Sequence, residues 1–141
     1  MRAREWHAVA WNAFLSLVVV YPIWFGLWWS WASALKGSQG IWYEAVPYYL
    51  LIFSGPLLVG SLIHQLGLRL VPESWSNRRR RLVAMVTSAA LVPVVIVALS
   101  DVRGFFSSGE FIPWSTGALV YGLLMRLPAS DASSTRSGNA R

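Results

Sequence analysis

VPYYLLIFSGPLLVGSLIHQLGLRLV, Val46–Val71, decides the fold. No Asp, Glu, Lys or Arg interrupts it before Arg69. Roughly 20 apolar residues are enough for a helix to cross the hydrocarbon of a bilayer. Where water is absent, a helix satisfies its own backbone groups, so such a segment is expected to be helical. Three other stretches read the same way: Ala8–Trp31, Leu82–Ser100 and Phe111–Leu127. The last is short, near the lower limit for a span. None has a charged residue in its middle. The prediction is an all-α integral membrane domain over residues 1–128, with four transmembrane helices. The remaining ASDASSTRSGNAR, residues 129–141, is small and polar and is expected to be a disordered tail.

Composition supports this solvent. Of the 141 residues 55% are hydrophobic and 13% charged, and nine are Trp. A soluble domain carries about 25% charged residues. There is no Cys, which excludes thiolate chemistry and Cys-ligated metals or clusters.

The basic residues set the orientation. With the N-terminus in the cytoplasm, the inner segments hold Arg2, Arg4, Arg69, Arg78, Arg79, Arg80, Arg81, Arg126, Arg136 and Arg141, while the outer loops hold Lys36 and Arg103. That bias predicts a multi-pass plasma-membrane protein with both termini inside. An N-terminal signal peptide is the competing reading, since Arg2 and Arg4 precede an apolar run ending at Ala32-Ser33-Ala34. The run is longer than the roughly 7–15 residues of a signal core and ends in bulky Trp28, Trp29 and Trp31, which favours a retained anchor.

The connector PESWSNRRRR joins the second and third spans. Pro72 is expected to stop one helix, and Ser74 or Ser76 to cap the next. Arg78 to Arg81, with Arg69 and Arg126, are expected to meet anionic lipid headgroups, each contact worth about 1 kcal/mol. Nucleic acid is not an expected partner, because no soluble fold presents these charges. Aromatic residues fall by depth. Trp24, Trp28, Trp29, Trp31, Trp42, Tyr43, Phe105, Phe106 and Trp114 suit an outer interfacial belt, and Trp6 and Trp75 an inner one.

The end of the opening stretch is written twice. GSLIHQLGLRL, Gly60–Leu70, returns as GALVYGLLMRL, Gly117–Leu127, and Pro56 aligns with Pro113. This predicts two tandem helical hairpins, a 2+2 internal repeat. Gly60 and Gly117 would let a neighbouring helix approach closely, as would the pair Ala118 and Gly122. One turn after each glycine stands a polar aromatic, His64 or Tyr121. A titratable group at that depth is a site candidate. Its expected hydrogen-bond partners are Gln65, Ser61 and Tyr121. Pro22, Pro56 and Pro93 each remove a helix bond, and Gly55-Pro56 is the expected place for a broken helix.

The function classes narrow by exclusion. No phosphate loop, HExxH or paired carboxylates appear, and the six acids all lie in tails or loops. An enzyme is therefore not expected. Haem through His7 and His64, the only histidines, is the one cofactor the sequence allows; otherwise none is expected. The reading that fits best is a non-catalytic accessory or assembly subunit, a homo-oligomer or part of a larger membrane complex. The alternative is a small oligomeric transporter or holin-like channel that uses His64.

Overall fold

The computed structural model describes residues 3–36, 42–72, 74–100 and 111–127. The expected tail, the loops 37–41 and 101–110 with Phe105 and Phe106, and the side chains of Trp42 and Tyr43 lie outside the described residues. Every described element is helical: α1 (Ala3–Leu15), a π-helical segment (Ser16–Val20), α2 (Tyr21–Lys36), α3 (Trp42–Leu68), α4 (Asn77–Ser100) and α5 (Phe111–Leu124). Three helical stretches are long and apolar enough to cross a membrane: Trp6–Trp31, Ala45–Leu68 and Asn77–Leu99. Phe111–Leu124 is a shorter apolar helix.

The prolines do not act alike. α3 runs unbroken through Pro47 and Pro56, and α4 through Pro93. Gly55-Pro56 is therefore not a break. A single missing donor is tolerable when the turns on either side keep their bonds. Pro22 is different. The π segment Ser16–Val20 lies just before it, with helical dihedrals at both flanks, so α1 and α2 form one rod with a wider turn in the middle. Pro22 has no N–H for the carbonyl of Val18, four residues back, and a π turn is one way a helix absorbs such a mismatch.

Helix ends follow the chain's chemistry. α3 closes in tight turns, with Arg69, Leu70 and Val71 donating to Leu66, Gly67 and Leu68 at 3.1, 3.0 and 3.3 Å. Pro72 then stops the helix. Ser76 is the cap of α4, its Oγ accepting from the Arg79 N–H at 3.4 Å. The helix thus begins at Asn77, and Arg78 to Arg81 are in its first turns rather than ahead of it. Pro113 sits in the first turn of α5, where its missing donor has no partner to lose.

α5 packs against α4, α2 and the π segment, while α3 packs on α4 and α1. The core between them holds Val20, Trp24, Phe53, Leu57, Ala84, Ile96, Trp114, Ala118 and Tyr121. In lipid the outer apolar faces gain nothing by hiding, so close packing and interhelix hydrogen bonds must hold the helices together.

Two glycines serve that packing and two do not. A Cβ on Gly122 would stand 2.6 Å from the Ala84 carbonyl oxygen and 2.7 Å from the Met85 Cα of α4. One on Gly117 would stand 2.9 Å from the Val20 carbonyl oxygen in the π segment. Gly60 faces α4 across ordinary contact, 3.6 Å from Val95, and Gly67 faces open space. An Ala would therefore fit at position 60, although α4 comes within 4.0 Å of such a Cβ at the Val92 Cα.

Two residues assigned to the aromatic belt belong to the core. Trp24 and Trp114 are completely buried and stack at 4.4 Å and 13°. Phe53 meets both edge-on, at 5.0 Å each. Trp28 stacks on Trp24 at 5.7 Å. Such pairs add about 0.5–1.5 kcal/mol each beyond their area. Trp31 is half exposed, as are Trp6 and Trp75, which suits an interfacial position. The Trp24, Trp28 and Trp31 stripe is thus a filled stack at one end and a surface at the other.

Candidate functional site

Several polar residues of the apolar helices meet inside the bundle. Asn12 of α1 is 2% exposed and sits at the centre of the network. Its Oδ1 accepts from the Arg126 N–H at 2.8 Å, and its Nδ2 donates to the Arg126 carbonyl at 2.9 Å. The backbone donor fixes which end of the amide is oxygen, so Nδ2 must be the group that donates to Gln65 Oε1 at 3.2 Å. That fixes Gln65 in turn: its Nε2 donates to Ser61 Oγ at 3.2 Å. Ser61 also bonds Tyr121 Oη at 2.8 Å and reaches the Asn12 carbonyl at 3.5 Å. One hydrogen-bonded chain therefore ties α1, α3 and α5 together.

The end of α5 explains half of this network. The last carbonyls of a helix have no partner within it and take theirs from outside. Asn12 serves Arg126. Arg81 of α4 serves two more, its Nη1 donating to the Leu123 carbonyl at 2.9 Å and to the Met125 carbonyl. The Ser88 hydroxyl of α4 donates to the Ala118 carbonyl at 2.7 Å, one turn further in.

His64 stands beside this chain rather than in it. Its ring lies 5.9 Å from that of Tyr121, but its Nε2 bonds Thr87 Oγ1 of α4 at 2.9 Å. The Thr87 hydroxyl donates its single proton to the Val83 carbonyl at 2.6 Å. The His64 Nε2 must then carry the proton that Thr87 accepts. A neutral ring leaves Nδ1 as a bare acceptor, and Nδ1 is buried with no hydrogen-bond partner among the described residues. The Nε1–H donors of Trp24 and Trp114 are likewise buried without an acceptor there.

Of the residues singled out in the sequence, His64, Gln65 and Tyr121 do come together, with Ser61. Gly60 and Gly117 do not share their cluster: Gly60, on α3, faces α4, and Gly117, on α5, faces the π segment. His7 is exposed in α1, while His64 is buried with its Nε2 on Thr87. Among the described residues no group of three or more acidic or His side chains could hold a metal.

The arginines divide. Arg69, Arg78, Arg79 and Arg126 are exposed. Arg80 is partly buried. Arg81 caps α5, and the Arg126 guanidinium carbon lies 5.2 Å from the centre of the Trp11 ring. Sequence reasoning missed Asn12, Thr87 and the capping role of Arg81. The signal for Asn12 was available: it is the strongly polar residue of an otherwise apolar span.

Comparison with protein-family models, with curated proteins and with solved structures finds no match to this chain. The site's geometry is the whole basis for function.

Proposed function

We propose that this chain is a small polytopic plasma-membrane protein that acts without catalysis, as an accessory or assembly subunit packed on a partner or on copies of itself. In this reading four helices span the bilayer as two tandem hairpins, with both termini in the cytoplasm. The observation that carries it is where the interior polar groups go. Asn12, Gln65, Ser61, Tyr121 and Ser88 are bonded to one another or to helix-end backbone, as ties between helices. The reciprocal facing of Gly60 and Gly117 supports the paired hairpins. Anionic headgroups on the arginine-rich side are the expected lipid contacts of Arg69, Arg78, Arg79, Arg80, Arg81 and Arg126.

The test is the mass of the complex after mild solubilisation. Self-association or one co-purifying membrane protein in fixed ratio supports the reading, and a lone monomer opposes it. No cofactor enters the proposal; haem held by His7 and His64 would show a Soret band.

A second reading has one observation in its favour. His64 Nδ1 is a buried ring nitrogen with no hydrogen-bond partner among the described residues, on a titratable ring. A small oligomeric transporter or holin-like channel would use it in its pathway. His64→Gln would then abolish pH-dependent flux in reconstituted vesicles, whereas a packing role alters stability alone.

A further inference from the structure

We infer that Arg126 and Arg81 together form a site for one lipid phosphate at the C-terminal end of α5. The inference rests on the membrane reading above, and goes beyond it by selecting two of the six arginines expected at the headgroups. Arg81 is held by the Leu123 and Met125 carbonyls through Nη1 alone. Its Nε and Nη2 make no bond among the described residues. Arg126 follows Met125 directly. Asn12 clamps its backbone on both N–H and carbonyl. Its guanidinium lies over Trp11 at 5.2 Å, and its N–H groups have no acceptor among the described residues.

Arg81 is thus fixed at the Met125 carbonyl, and the backbone of Arg126 is fixed one residue further on. Arg78 and Arg79, exposed like Arg126, have no side-chain bond or ring contact among the described residues. A guanidinium with free parallel donors matches a tetrahedral phosphate oxygen pair, and pre-ordering lowers the entropy lost on binding.

Depth and surroundings select a lipid rather than a free anion. Leu119, Leu123 and Leu124, on the turns leading to this end, are exposed apolar residues that acyl chains would cover. A lipid with a net negative head keeps its phosphate charge uncompensated, so phosphatidylglycerol should be preferred to zwitterionic phosphatidylcholine.

Native mass spectrometry of the full chain in detergent, with each lipid added, is the experiment. The wild type is expected to retain one phosphatidylglycerol about tenfold more strongly than phosphatidylcholine. Arg126→Gln should erase most of that preference, and Arg126→Lys, which keeps the charge without the fork, should weaken it in part. The double variant R78Q/R79Q should leave it within about twofold. Equal loss in the double variant, an intact preference in both Arg126 variants, or displacement by millimolar inorganic phosphate would overturn the site. Melting in the same detergent identifies a misfolded Arg126→Gln, in which case Arg126→Lys decides. A chain that stays dispersed without detergent defeats the membrane reading itself, before any lipid is added.

Discussion

Gly122→Ala should unlock α5 from α4. The new methyl would lie 2.5 Å from Ser88 Oγ, 2.6 Å from the Ala84 carbonyl oxygen and 2.7 Å from the Met85 Cα. Ser88 can rotate, but the other two are backbone. Reaching ordinary contact at Met85 requires 3.4 − 2.7 = 0.7 Å of helix separation. α5 cannot yield freely on its other side, because Gly117 already rests against the Val20 carbonyl. Separation would also stretch the 2.7 Å bond from Ser88 to the Ala118 carbonyl. Overpacking of this kind costs about 1–3 kcal/mol, and an interhelix bond in a membrane averages about 0.6 kcal/mol. The expected loss is therefore about 2–4 kcal/mol. Gly60→Ala is the matched control. Its methyl would find Val95 at 3.6 Å, and its cost should stay within about 0.5 kcal/mol. Reversible unfolding in mixed micelles, followed by tryptophan fluorescence, measures both. Equal stability of the two variants would refute the close packing of α4 on α5.

Two further substitutions probe the polar network. Asn12→Leu leaves the Arg126 N–H and carbonyl without their partner, so it should cost at least about 2 kcal/mol; Gln65→Leu, which frees no backbone group in this network, should cost less in the same unfolding assay. Nitrogen-15 spectra of labelled histidine should show His64 protonated at Nε2, and Thr87→Val should release the ring to the other tautomer; a wild-type ring protonated at Nδ1 would contradict the Thr87 assignment.

The long apolar runs were legible because membrane helices announce themselves by composition, which needs no knowledge of neighbours. Their ends were less so. Counting apolar residues starts the third span at Leu82, yet capping by Ser76 carries helix geometry back to Asn77. The π segment was hidden because Pro22, Pro56 and Pro93 look alike in sequence, and only the packing around each decides whether the helix widens. Small residues did not differ in sequence as they do in packing: a Cβ would collide with backbone at Gly117 and Gly122 but would fit at Gly60, and no local pattern separates them. Trp24 and Trp114 were assigned to the interface on residue type, but a ring stacked on another ring leaves the surface. His64 was found by its rarity in an apolar span. Its actual partner, Thr87, lies on a helix whose facing residues the sequence does not reveal.

The chain has no cysteine, so single cysteines can be introduced as reporters of sidedness. Ser38, Ser76, Ser108 and Ser134 mark the three connectors and the tail. In intact cells a membrane-impermeant maleimide should label Ser38→Cys and Ser108→Cys, and should reach Ser76→Cys and Ser134→Cys only after lysis. Labelling of Ser76→Cys from outside, or one behaviour for all four positions, would contradict a chain that crosses the bilayer four times with its arginines inside.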